Sequence, residues 1–246
     1  MIEYPLISDY AARLPEKNHV PDFSTFSSLL RVSTNYEMLS VRAQLLETIR
    51  DAYPEDFEGV NPSKTLGENV FGGPKPHPNA VLNLFVRHGV TWALPMAYYM
   101  AARRGLGSLM DPQLSQSATL SSQTLRSAMG GLMALREMEL KETYRIVFTP
   151  KDGTNRVGCS STQCPSQKSK GVLDAGVVAA HQRVYDRITG SKVGATRILQ
   201  VLGASEFAGD TGSEFCQVCV KKIQVAHAEV RGKAWAALPE VFGLRA

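Results

Sequence analysis

All four cysteines of this 246-residue chain fall into two close pairs, which is the spacing of a metal site built from thiolates. Cys159 and Cys164 enclose the segment C-S-S-T-Q-C, and Cys216 and Cys219 enclose C-Q-V-C. Structural zinc takes four sulfur or nitrogen ligands in a tetrahedron, and two short cysteine pairs supply them two at a time. The spacing predicts a structural Zn site with Cys159, Cys164, Cys216 and Cys219 as ligands, which would tether two distant segments without catalysing a reaction.

Two other states of the cysteines stay open from the sequence alone. Cysteine often packs as a small apolar side chain without any metal, and a disulfide is a further alternative that a reducing compartment disfavours. A thioredoxin-like redox role would need a β-strand directly before Cys216, where a loop rich in glycine, serine and aspartate occurs instead. His227 would lie about 12 Å beyond Cys219 along a helix, so we expect it to pack or face solvent. A lone helical histidine such as His181 is usually structural.

Composition and charge narrow the class of protein. The chain is 43% apolar and 20% charged, which is enough for a packed core and argues against disorder. No apolar run of signal-peptide or membrane-spanning length occurs, so we expect an intracellular protein of the cytoplasm or nucleus. The net charge of +4 is dispersed over short clusters, none of which has the density of a nucleic-acid-binding tract. Phosphate-binding loops, nucleophile elbows and HExxH helices are also missing from the sequence.

Apolar residues recur mainly at three- and four-residue spacing, which predicts an all-α fold of two helical lobes. Capping residues and the prolines and glycines predict where the elements begin and end. We expect helices from Asp22–Ser24 to Val32, from Met38 toward Pro54, from Asn79 to His88, from Trp92 to Arg104, from Ser121 or Ser122 to Tyr144, over 174–188 and 191–202, and from Glu214 onward. Residues 144–148 fit either a helix or an extended segment. The capping side chains of Ser33-Thr34-Asn35 are expected to separate the first helix from the second. Residues 54–79 are expected to be largely irregular.

Several segments in a fixed order resemble the region that follows the BTB/POZ fold in a group of basidiomycete fungal BTB domain-containing proteins. The similar segments are Phe23–Ala43, Ala52–Pro54, Leu82–Tyr99, the C-x4-C pair, Cys216–Cys219 and Trp235–Leu244. The BTB fold proper would lie before residue 20, where this chain does not contain it. We therefore expect either a truncated or mispredicted gene product or a true variant that keeps only the extension. The dimerisation and partner recruitment of the BTB fold do not carry over.

The resemblance implies three parts and a function without catalysis. Residues 1–20 would form an irregular segment, 21–150 a BACK-like helical interaction region, and 151–246 a cysteine-paired helical lobe. The implied function is that of a non-enzymatic protein-interaction or adaptor fragment, whose unknown protein partners would include ubiquitin-ligase components of the cullin type by analogy. No small-molecule substrate and no membrane partner are expected. The alternative is a nucleic-acid-associated zinc-binding protein, whose binding would depend steeply on salt.

Overall fold

The computed structural model of this chain describes residues 21–50, 52–57, 70–148, 182–186, 188–189, 198–199, 208–209, 212–213 and 216–244. The fold is all-α, as the sequence predicts. The helices are α1 Phe23–Asn35, α2 Leu39–Ile49, α3 Pro78–Arg87, a 3-10 turn Thr91–Ala93, α4 Leu94–Ala102, α5 Leu106–Leu109, α6 Ser122–Phe148 and α7 Gln217–Val241. Residues 182–186 and 188–189 are also helical. Ala208–Gly209 (β1) and Gly212–Ser213 (β2) form one short antiparallel pair.

The described residues fall into two compact units. Unit 1 runs to Ala101 and includes residues 111–121, whereas unit 2 contains residues 102–110 and the chain from Ser122 onward. The long helix α6 thus groups with the C-terminal part of the chain, although the sequence analysis assigns it to the first lobe. The predicted boundary near residue 150 lies outside the described residues, and so do most of the predicted helices at 174–188 and 191–202.

The start of α1 follows local side-chain chemistry. The Asp22 carboxylate accepts a hydrogen bond from the Thr25 backbone N–H at 2.9 Å and another from the Thr25 hydroxyl. The Thr25 backbone N–H is the main cause of a lowered pKa of the Asp22 carboxyl, because a bond to the charged form favours that form. Asp22 is therefore the N-cap, as its residue type predicts.

The connection between α1 and α2 differs from the expected one. The hydroxyls of Ser33 and Thr34 donate to the Leu30 carbonyl within α1, so they do not cap the following helix. α1 continues to Asn35, and α2 begins after Met38, which makes no side-chain capping bond. α2 ends at Ile49, before Pro54 is reached, because Arg50 already closes the last turn.

The helices of unit 1 after residue 77 begin and end closer to the positions predicted from capping residues and glycines. The His77 imidazole caps α3 by accepting from the Asn79 N–H, and Gly89 adopts the left-handed conformation (φ 61°) just after the helix. The helix predicted from Trp92 to Arg104 is divided, because Thr91–Ala93 form a 3-10 turn that leads into α4. The chain around residues 54–57 and 70–77 has no helix, which confirms the irregular segment for its described part.

The helices α6 and α7 of unit 2 lie side by side in opposite directions. Near the end of α6, Val147 packs in one cluster with Cys219 and Ile223 from the beginning of α7. In the first half of α6, Gly131 faces the ring of Phe242, the residue directly after α7. Residues 144–148 are helical, so the extended alternative is wrong. Among the described residues, no helix is both long and apolar enough to cross a bilayer.

The glycine pair in the middle of α6 yields a matched stability test. A Cβ at Gly131 would overlap the buried Phe242 ring, whereas a Cβ at Gly130 would meet nothing within 4 Å. We expect Gly131→Ala to destabilise unit 2 by about 1–3 kcal/mol, because the ring has to move. Gly130→Ala should instead stabilise it by about 0.5–1 kcal/mol through helix propensity. Urea unfolding of both variants checks this, and equal stability of the two would contradict the close approach of Phe242.

Candidate metal centre

The second cysteine pair lies at the beginning of α7. Cys216 is the N-cap with extended backbone angles, and Cys219 is three residues further along, in the first turn. Side chains three residues apart lie on the same side of a helix, so both sulfur atoms face the same surroundings. Both residues are thiols, with Cys216 partly buried and Cys219 fully buried.

An apolar cluster surrounds the two sulfur atoms. Cys219 belongs to the buried cluster, and Cys216 packs against its edge. The other members come from the end of α6, from the helical residues 182–186 and 188–189, and from α7: Val147, Val184, Ile188 and Ile223, with Ile146, Tyr185 and Val220 around them. Such a shell keeps water away from the Cys219 sulfur and partly from that of Cys216. It suits a thiol that packs as a small apolar group, and it equally suits a thiolate that is neutralised by a bound cation.

The structure brings together two of the four predicted zinc ligands. Cys216 and Cys219 share one face, whereas Cys159, Cys164 and His181 lie outside the described residues. Within the part of the chain that the structure describes, no group of three or more histidine, cysteine, aspartate or glutamate side chains is placed to hold a metal ion. The donor types still fit zinc, because two thiolates on one face are half of a tetrahedral site.

His227 is a buried residue of α7, with 4% of its surface exposed. Burial lowers the pKa of its imidazole to about 4, and the positive charge of Arg231, one turn further on, lowers it as well. The neutral imidazole is therefore the form present at neutral pH. This agrees with the expected packing role and gives no support to His227 as a ligand.

Unit 2 also buries polar side chains that the sequence analysis missed. Glu139 and Thr143 occupy core positions of α6, and Arg231 does so on α7. Arg136 donates to the Glu139 carboxylate at 2.7 Å and to the Thr189 carbonyl, while Arg231 donates to the Leu199 carbonyl at 3.0 Å. A buried charge is tolerated when it is paired or hydrogen-bonded, so these bonds explain the burial of Glu139 and Arg231 in otherwise apolar stripes. On α6 the available signal was helical spacing, since Glu139 follows Leu135 by four residues and Thr143 follows Glu139 by four.

Comparison with known proteins does not assign the chain to a group. No family model, no curated protein and no solved structure matches it.

The buried His227 predicts acid sensitivity of unit 2. Its folded-state pKa of about 4 lies below the ordinary value of 6.5, so the unfolded chain takes up the proton first as the pH falls. The stability that depends on neutral His227 is complete above pH 6.5 and declines from there toward pH 4, by about 3 kcal/mol in all. Denaturant unfolding across this range should show the decline in the natural protein and lack it in His227→Gln. Parallel pH curves for the two proteins would contradict the burial of a neutral imidazole.

Proposed function

We propose that this chain is a non-enzymatic protein-interaction fragment of the kind found after the BTB fold, acting inside the cell in the cytoplasm or nucleus. The observation that carries the proposal is the exposed turn between α1 and α2. This turn presents large apolar side chains to solvent: Leu39 is 74% exposed and Tyr36 is 59% exposed. It also lies within Phe23–Ala43, one of the segments that resemble the BTB group.

The backbone of the turn is held in an unusual conformation. Glu37 has φ 53°, in the left-handed region where a residue with a side chain costs roughly 1–2 kcal/mol relative to the ordinary helical region. Two backbone bonds fix the turn: the Met38 N–H donates to the Ser33 carbonyl at 2.8 Å, and the Leu39 N–H donates to the Glu37 carbonyl. Together with the Glu37 N–H, which donates to the Thr34 carbonyl, the Met38 bond forms the Schellman motif that ends α1, so this helix terminus holds the exposed side chains in place.

A protein partner accounts best for these features. Exposed Leu and Tyr side chains at an ordered turn add little to the stability of the chain itself, but they are the kind of anchor that a partner pocket buries. By analogy with BTB adaptors, the proposed partners include components of ubiquitin ligases. The proposal includes no reaction, no small-molecule substrate and no membrane.

Replacing Leu39 tests the interaction function. We expect Leu39→Ser to leave thermal stability nearly unchanged, because the side chain is exposed. When the full chain is immobilised, the variant should fail to retain specific partner proteins that the natural chain retains. Val225→Ser is the matched control, since Val225 is also an exposed apolar residue of a helix surface but belongs to unit 2. Quantitative mass spectrometry of the retained proteins gives the comparison. The interaction proposal fails if the retained proteins are the same for the natural chain and for Leu39→Ser.

The same proposal includes a structural Zn ion held by Cys159, Cys164, Cys216 and Cys219. Its support is the pairing of the cysteines in the sequence together with the shared face of Cys216 and Cys219 in the structure. When bound, the ion would tether residues near 159–164 to the beginning of α7. Because the site would form only in the folded chain, the free energy of metal binding would add to the folding stability of this lobe.

Single serine replacements separate zinc ligation from simple packing. If both thiolates bind zinc, Cys216→Ser and Cys219→Ser should each lower stability by several kcal/mol, because each removes one of four ligands. A packing role alone predicts a loss of about 1–3 kcal/mol for the fully buried Cys219 and little change for the partly exposed Cys216. Thermal unfolding of both variants under reducing conditions distinguishes these results. A stable Cys216→Ser would contradict the zinc proposal.

A further inference from the structure

Three arginines from three helices of unit 1 surround His88. Arg31 lies on α1, Arg42 on α2, and Arg87 is the last residue of α3. Arg42 is tied to this place because its Nη2 donates to the His88 carbonyl at 2.9 Å. Arg31 and Arg87 are exposed, so their guanidinium groups are accessible from solvent. We call these four residues the Arg31/Arg42/Arg87/His88 cluster.

Each of the three arginines acts on the His88 imidazole. Burial is the main cause of a lowered pKa of the His88 imidazole, and the charges of Arg87, Arg42 and Arg31 lower it further. No aspartate or glutamate of the described ranges raises this pKa in opposition. The cluster is therefore a concentrated positive potential, in contrast to the dispersed charge of the chain as a whole.

Among the residues that the structure describes, the cluster has no acidic counter-ion. In the described parts of the chain, no aspartate or glutamate forms an ion pair with Arg31, Arg42 or Arg87, although Arg50, Arg136 and Arg145 each pair with a glutamate. The Arg42 Nε–H is buried and meets no hydrogen-bond acceptor among these residues. Like charges that gather without an acid between them repel, and the repulsion is relieved when an anion binds.

We propose that the Arg31/Arg42/Arg87/His88 cluster binds an acidic segment of a partner protein, through carboxylates that pair with the guanidinium groups. Guanidinium groups match carboxylates in shape and donate two bonds at once. Exposed apolar side chains adjoin the arginines in sequence: Val86 precedes Arg87, and Leu39 lies one helical turn before Arg42. A segment with acidic and apolar residues therefore fits this surface. The inference rests on the proposed interaction function and adds the chemistry of the partner.

A protein segment suits the cluster better than a nucleic acid. Nucleic-acid binding draws on many phosphate contacts along a strand, whereas the basic residues here gather around one histidine. The remaining positive charge of the chain is spread out. A short acidic segment needs only a few guanidinium groups at one place, as this cluster provides.

The test uses the full chain and fluorescein-labelled hexaglutamate as the probe. We expect Arg31→Gln/Arg87→Gln to weaken binding of hexaglutamate by about tenfold or more, because two exposed charge-assisted contacts are removed. Arg104→Gln/Arg126→Gln is the matched control, since both residues are exposed and the change in net charge is the same. The control should change binding by less than about twofold. Fluorescence anisotropy at two salt concentrations measures both variants.

The His88 imidazole gives a second, local readout. An anion among the three guanidinium groups offsets their field, so hexaglutamate should raise the pKa of His88. Proton NMR titration follows this pKa, and His88→Gln assigns the resonance among the five histidines of the chain. A general effect of net charge would not shift His88 selectively.

Three results would overturn the inference. They are no binding of hexaglutamate to the natural chain, equal weakening by the two double variants, and preferential binding of a single-stranded DNA oligomer of the same net charge as the peptide. The last result would favour a nucleic-acid partner instead. The proposed interaction function is judged separately by the Leu39→Ser comparison, so partners retained through Leu39 without any hexaglutamate binding would overturn this inference alone.

Discussion

The antiparallel packing of α6 and α7 is the contact on which unit 2 depends. These helices have 27 and 25 residues, and their facing sides hold most of the described core of this unit. The absence of a side chain at Gly131 lets the Phe242 ring pack close at one end. At the other end, Cys219 packs with Val147 and Ile223. The position of the cysteine pair is therefore a consequence of the helix pairing, whichever state its sulfurs adopt.

Unit 1 is organised differently, with short helices and a concentration of features at its surface. Tyr36 and Leu39 are exposed beside a left-handed Glu37, while arginines from three helices gather around His88. Glu37 ends α1 through a backbone cap and leaves Leu39 exposed next to it, whereas the arginines bring like charges together. We propose that one partner, which offers both apolar and acidic groups, binds these two features.

Local chemistry made parts of this fold predictable from the sequence. Asp22 caps α1 and Gly89 follows α3 because capping and left-handed backbone depend on neighbouring residues alone. Ser33 and Thr34 misled the prediction, since their hydroxyls have an equally local acceptor within their own helix. The buried Glu139 and the arginines around His88 depend on residues far apart in sequence, which helical periodicity does not reveal. The zinc ligand set remains a prediction from spacing, with Cys216 and Cys219 brought to one face.

The zinc content of the purified chain tests the account of unit 2 most directly. Elemental analysis after purification under reducing conditions should give one zinc ion per chain, and circular dichroism should show a loss of helix when a chelator removes it. A chain without zinc, whose helix content is the same before and after chelation, would contradict the metal tether. In that case, the sulfurs of Cys216 and Cys219 would serve only as packing groups at the end of the α6–α7 pair.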